Sequence, residues 1–154
     1  MNYVDYFKLQ AKNLFRDYKT QTSYIDKVNG ASRYTYSPKY FDIESIFFDF
    51  EWEDQENFSL MKAQHLVAVM LGFRKWMDLL KASKAELELA KLLFDHQDKI
   101  HVEDWRMYIA GVERDNKTTF DTENRVEIFK HVFANVEGHH SPFGDYRLTK
   151  QSPR

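Results

Sequence analysis

The chain of 154 residues is 43% hydrophobic and 30% charged, which suits one packed domain and excludes wholesale disorder. Its 22 lysines and arginines against 24 aspartates and glutamates give a net charge of −2, which argues against a generally cationic surface for nucleic acid or anionic lipid. The absence of cysteine excludes disulfides, thiolate metal sites and a cysteine nucleophile.

The composition favours helices. Five glycines and three prolines are too few for the many turns of a β-sandwich or barrel. We therefore expect a mainly α fold, a compact bundle of about five to six helices over 1–138, followed by a loop and tail over 139–154. The longest nearly apolar run, 66–73, is far below the roughly 18 residues that indicate a membrane span, and no signal-peptide pattern opens the chain. A cytoplasmic protein without membrane contact is the expectation.

The first predicted element is a helix over about 2–19. Its apolar residues recur at steps of three and four: Tyr3, Phe7, Ala11, Leu14, Phe15 and Tyr18. Beside them runs a basic stripe made of four residues: Lys8, Lys12, Arg16 and Lys19. This basic stripe suits contact with phosphates or with an acidic protein, and it equally suits a solvated helix face.

The region 20–58 connects this helix to the rest and is rich in aromatic residues. Alternation of aromatic and polar residues at 34–36 and again at 48–52 predicts a small β-hairpin within 30–55. Apolar residues at helical spacing over 40–50 predict a helix instead. Both alternatives stay open.

An acidic–aromatic segment at 49–56 ends this region and is a candidate binding surface. Phe50 and Trp52 stand there beside Glu51 and Glu53. Rings next to carboxylates suit a basic partner, or a surface that mimics nucleic acid. The alternatives are an acidic loop with its rings folded inward, and ion pairs with the basic stripe of the same molecule.

Capping signals mark the helices that follow. Ser59 is a good N-cap for a helix that ends at Gly72, whose missing Cβ permits the left-handed conformation. Ser83 and Glu86 form a capping box, which predicts a helix to about Phe94. Apolar spacing predicts three more helices: a short one around Trp76, one over 102–112, and one over 126–136 that stops near Gly138.

The segment 59–82 resembles a small helical module found in the bacterial glyoxalase-related protein domain and, in similar form, before some ankyrin arrays. The matching residues are Ala63, Gln64, Ala68, Gly72, Phe73, Trp76 and Leu79. The segment 8–14 is similar to the opening Ala-Lys-x-Leu segment of that domain. The resemblance implies a helical scaffold. It implies neither the metal-dependent glyoxalase βαβββ fold nor any catalytic residue.

A helix-turn-helix interpretation of the same segment is the main rival. Gln64, Ala68 and Gly72 have its four-residue spacings, which would present the second helix to DNA. Asp78 falls where such a motif buries an aliphatic residue, so the spacing also fits a plain helical hairpin.

Residues for catalysis are sparse. His139, His140 and Asp145 form the only compact group with metal-binding side chains, but helical ligand spacing and a fourth ligand are missing. The sequence has neither a nucleophile elbow nor a glycine-rich phosphate loop. We therefore expect neither an enzyme nor a bound cofactor.

The sequence thus predicts a helical interaction or regulatory protein, of the antitoxin or immunity kind. A partner protein would contact the basic stripe and the acidic–aromatic segment. Nucleic-acid binding through 59–82 is the first alternative, and a small metal-dependent enzyme at His139 and His140 is the second. The partner's identity and the oligomeric state do not follow from the sequence.

Overall fold

The computed structural model describes residues 2–148, and in that range the chain is mainly α with one small hairpin, as predicted. In chain order the elements are α1 (Tyr3–Tyr18), β1 (Thr22–Ile25), β2 (Ser32–Thr35), α2 (Ile43–Asp49), α3 (Leu60–Met70), α4 (Trp76–Lys81), α5 (Lys84–Asp95), α6 (Val102–Asp115) and α7 (Thr122–Phe129). A π-helical turn at Lys130–Ala134 continues α7. Within the described range, every helix is too short or too polar to cross a bilayer.

The local capping signals are confirmed. The Ser59 side chain accepts the N–H of Lys62 at the start of α3. The capping box at the start of α5 is complete, since Ser83 and Glu86 each accept the other's backbone N–H. At the end of α3, Gly72 has φ of +91°, the left-handed conformation that its missing Cβ permits.

Two groups of buried side chains make up the core. The first surrounds the apolar face of α1, where Phe7, Ala11 and Leu14 are fully buried, and it extends over α2, α3 and part of α5. The second lies between α5, α6 and α7 around Trp105 and Phe129. Because α5 contributes to both groups, it joins them.

The hairpin begins earlier than the sequence predicted. It pairs β1 with β2 antiparallel, Thr22 opposite Thr35 and Ile25 opposite Ser32, so it spans 22–35 and not 30–55. All four residues of β1 are exposed, so burial does not require apolar and polar residues to alternate along it. The sequence of β1 therefore lacks the alternation from which a strand is predicted.

The predicted strand at 48–52 is wrong, and the helical alternative is correct. The Asp42 side chain accepts the N–H of Ser45 and caps α2, which buries Ile43, Ile46 and Phe47 on one face. The apparent alternation arises where the helix ends and the chain turns at Glu51, whose φ is +54°.

A buried carboxylate joins the segment after the hairpin to α1. The Asp17 side chain is 2% exposed. It accepts backbone N–H groups from Lys39 at 2.9 Å, Tyr40 at 2.8 Å and Phe41 at 2.7 Å. Hydrogen bonds to an ionised acceptor are about twice as strong as neutral ones, so this contact fixes the path of the chain into α2.

The segment 139–148 has no helix, as predicted, but it is part of the fold rather than a free tail. Tyr146 and Arg147 are buried, and Arg147 forms an isolated antiparallel bridge with Phe41. The Tyr146 hydroxyl donates to the Asp49 carboxylate at 2.6 Å. The rest of the predicted tail, 149–154, lies outside the described residues.

We predict that Asp17→Asn lowers the free energy of unfolding by about 2–3 kcal/mol, because at least one of the three N–H groups loses its acceptor and the others lose a charged one. Urea denaturation measures the change. Asp115→Asn is the matched control, since its side chain is 78% exposed, and it should stay within about 0.5 kcal/mol of the native protein. Equal stability of the two variants would contradict the assigned role of Asp17.

Candidate functional site

An open cleft of about 760 Å³ lies between the hairpin, α2 and the loop that follows α2. Three parts of the chain line it: Tyr24, Ser32, Arg33 and Tyr34 from the hairpin, Glu44, Phe47 and Phe48 from α2, and Glu51, Trp52, Glu53 and Gln55 from the loop. We call it the acidic cleft, for the carboxylates described below.

Hydrogen bonds to Gln55 hold the loop against α1 and against the segment that follows the hairpin. Its backbone carbonyl accepts from the Tyr18 hydroxyl at 2.7 Å and from the Gln21 amide at 2.8 Å. Its side-chain oxygen accepts from the Tyr36 hydroxyl at 2.6 Å. Because Tyr18 belongs to α1 and Gln21 to the turn after it, α1 sets the position of the loop.

The base of the acidic cleft is a cluster of aromatic rings. Phe47 is 4% exposed and lies 5.2 Å from Phe58 and 6.5 Å from Trp52, measured between ring centroids. The Trp52 indole N–H donates to the Asp54 carbonyl at 2.7 Å, which fixes the ring's orientation. The neighbouring Phe48, which also lines the cleft, is 84% exposed.

Carboxylates dominate the charge around these rings. Glu44, Glu51 and Glu53 line the acidic cleft and are exposed. The lining includes one cation, Arg33, whose guanidinium lies 3.4 Å from the Asp26 carboxylate. The cleft therefore has a net negative charge and attracts cations.

A hydrogen bond from the Tyr34 hydroxyl to the Glu56 carboxylate links β2 to the loop. This bond, with smaller contributions from desolvation and from the Glu56 charge, raises the pKa of Tyr34 to about 12. Tyr34 therefore stays a neutral donor at physiological pH, and the contact is lost only as pH rises through about 12.

The structure brings three of the four binding residues predicted in the acidic–aromatic segment to this cleft. Glu51, Trp52 and Glu53 line the acidic cleft, with the carboxylates exposed and the indole half-buried. Phe50 does not line it. Its ring packs instead on Tyr146, 5.8 Å away, on the side of α2 that meets the 139–148 segment.

The basic stripe is a separate surface. Lys8, Lys12, Arg16 and Lys19 are all exposed along α1. The Lys19 ammonium lies 4.5 Å from the Phe15 ring centroid, and Arg16 donates to the Asn13 side chain at 3.4 Å. Among residues 2–148, no ion pair joins this stripe to the acidic–aromatic segment.

The structure does not assemble a metal site from His139, His140 and Asp145. The His139 ring packs on Phe133 at 5.0 Å, and the Asp145 carboxylate accepts from Arg147 at 3.1 Å. The described part of the chain contains no group of three potential ligands placed to hold a metal ion.

The hairpin wall of the acidic cleft was not found from the sequence. Tyr24 and Arg33 occupy opposite positions on β1 and β2, a juxtaposition that depends on the register. The alternation at 34–36 correctly indicates β2, but its partner strand precedes it in the chain, at Thr22–Ile25, and does not follow it as the alternation at 48–52 predicts.

Comparisons with protein-family models, curated proteins and solved structures found no match for this chain. The similarity of 59–82 to the glyoxalase-related module therefore stays a prediction. In the structure this segment forms α3 and α4, with Trp76 half-buried against the first core group and Leu79 fully buried.

We predict that Glu56→Gln returns the pKa of Tyr34 toward its ordinary value of 10, because the neutral amide no longer disfavours the phenolate. At pH 11, the tyrosinate absorbance at 295 nm should then exceed that of the native protein by about one ionised tyrosine. Glu53→Gln is the control and should leave the absorbance unchanged. An unchanged titration in Glu56→Gln would disprove the hydrogen bond.

Proposed function

We propose that this protein is a non-enzymatic interaction module that binds a basic segment of a partner protein in the acidic cleft. The observation that carries the proposal is the convergence of Glu51, Trp52 and Glu53 with the hairpin on one open cleft. Carboxylates supply attraction and orientation for lysine or arginine, and the rings supply apolar area.

The aromatic side chains give the cleft the chemistry of a binding hot spot. Trp52 already accepts one cation on its face, since the Lys62 ammonium lies 5.3 Å from its centroid. Covering the exposed Phe48 ring would contribute about 1.5–3 kcal/mol. A basic segment with apolar residues beside its cations would use both the charge and the rings.

Exposed apolar side chains continue from the cleft over the hairpin. Tyr24 is 50% exposed, Ile25 69% and Val28 95%. Contiguous exposed apolar residues rimmed by charge are typical of surfaces that bind proteins. We propose a regulatory role of the antitoxin or immunity kind, in which the acidic cleft binds a basic segment on the surface of its target.

We predict that the double variant Glu51→Lys with Glu53→Lys weakens binding of a basic peptide at least about tenfold, since two attractive contacts become repulsive. The probe is a fluorescein-labelled peptide of four Lys-Val repeats, and fluorescence anisotropy measures its dissociation constant. The matched control is Glu103→Lys with Glu123→Lys, which reverses two exposed carboxylates of α6 and α7. The control should bind the peptide as the native protein does.

Tryptophan emission localises the bound peptide. Trp105 is buried and Trp76 packs on the core, so a change in emission on adding unlabelled peptide should come from Trp52 and vanish in Trp52→Phe. Native-like binding by the Glu51/Glu53 double variant, or equal weakening in the control, would reject the acidic cleft as the site.

Nucleic-acid binding is a second candidate, and the observation that favours it is the basic stripe. Its four cations are exposed and lie at intervals of three and four residues, so they share one face of α1 that is available to phosphates. In the segment 59–82, Arg74 and Lys75 are exposed as well. α4, which would enter the groove, has only six residues.

Salt dependence tests this candidate. If four cations of the stripe contact phosphates, affinity for a fluorescein-labelled DNA duplex should fall about two orders of magnitude between about 50 and 200 mM salt. Lys8→Gln with Lys12→Gln should lower the salt slope by about two, and Lys84→Gln with Arg114→Gln should not. Absence of binding at the lower salt concentration rejects this function without affecting the acidic cleft.

A further inference from the structure

The outer edge of β2 borders the acidic cleft. Three consecutive residues of this strand, Ser32, Arg33 and Tyr34, line it. Side chains of a strand alternate between the two faces of a sheet, so a face alone would contribute every second residue. Tyr24 of β1 also lines the cleft and shares one face of the hairpin with Arg33, whereas Ser32 and Tyr34 lie on the other face. Because residues of both faces line the cleft and three of the four belong to β2, the cleft reaches around the edge of β2.

The register places unpaired backbone groups on that edge. The N–H of Asp26 donates to the Ala31 carbonyl at 2.9 Å, so this opposite pair is hydrogen-bonded. Hydrogen-bonded and non-hydrogen-bonded pairs alternate along an antiparallel ladder, which makes Tyr24–Arg33 the next hydrogen-bonded pair. Ser32 and Tyr34 therefore direct their N–H and C=O groups away from β1.

Nothing else in residues 2–148 takes up this edge. The sheet has two strands, and neither Ser32 nor Tyr34 makes a further backbone hydrogen bond to another part of the described chain. An open edge next to a cleft is the arrangement that binds an extended peptide by strand addition. An isolated two-stranded hairpin is also marginally stable, so a third strand would stabilise it.

We propose that the basic segment of the partner binds as a third strand on the outer edge of β2, with a basic residue at every second position. This inference rests on the proposed function of the acidic cleft. The Tyr34 side chain points toward the loop, since its hydroxyl donates to Glu56. Side chains on the same face of an added strand therefore meet the loop that carries Glu51 and Glu53.

The period of two distinguishes strand addition from binding by charge alone. The alternating Lys-Val peptide should bind at least about tenfold more tightly than a block peptide of the same composition, because only the alternating one directs all its lysines to one face. Equal affinities of the two peptides, with both weakened by Glu51→Lys and Glu53→Lys, would overturn the strand but leave the proposed function in place.

Backbone N-methylation gives a second readout. Alternate amides of an added strand face β2, and the others face solvent. Methylating one alternate set of the Lys-Val peptide should weaken binding at least about tenfold, and methylating the other set should change it less than about twofold. If both methylated peptides bind alike, the strand is overturned. If the unmodified peptide does not bind, both the strand and the proposed function fall.

Proline substitutions provide the matched test in the protein itself. Ser32→Pro removes an N–H from the edge that borders the cleft, and should weaken binding of the alternating peptide at least about fivefold. Ser23 lies opposite Tyr34 in the ladder, so its N–H points to the outer edge of β1, away from β2. Ser23→Pro removes that N–H and should leave binding unchanged. Equal effects of the two prolines, with the helical circular dichroism of both variants native, would contradict the proposal.

Discussion

The Asp17 carboxylate determines where the aromatic-rich region 20–58 lies on α1. Three consecutive backbone N–H groups, those of Lys39, Tyr40 and Phe41, converge on it. Their direction sets the position of the next residue, Asp42, which caps α2. The Asp42 N–H in turn donates to the Tyr146 carbonyl, so the C-terminal segment is positioned by the same contact. One buried charge thereby orders two segments that have little regular secondary structure of their own.

The acidic cleft combines rigid and solvated parts. Its base consists of rings that belong to the core or pack on it, such as Phe47 and Trp52, and these keep their positions because the surrounding aromatic cluster is closely packed. Two of its carboxylates, Glu51 and Glu53, stand on the loop held by Gln55, and the third, Glu44, stands on α2; all three are exposed to water. Binding of a cationic segment would therefore require little rearrangement of the rings, which limits the entropy lost on association.

Local signals in the sequence predict the helices, whereas the position and lining of the acidic cleft depend on tertiary contacts. Ser59, Ser83 and Gly72 act within one turn of their own helix, so their positions alone predict its ends. The Tyr36–Gln55 hydrogen bond that holds the cleft loop in place joins two residues outside the helices and strands, and no spacing rule relates them. Phe50 and Trp52 looked equivalent in the sequence, yet the turn at Glu51 sends their rings to different sides of α2.

The hairpin contributes no residue to either buried group of side chains. Substitutions at Tyr24, Ile25 or Val28 therefore escape the packing constraints that restrict α1 or α5. Over generations, the surface of this hairpin can change while the helical scaffold keeps its sequence. Under the proposed function, the hairpin wall of the acidic cleft is therefore open to change among descendants of one ancestral chain, whereas the base of the cleft, formed by Phe47 and Trp52, keeps the packing constraints of the core.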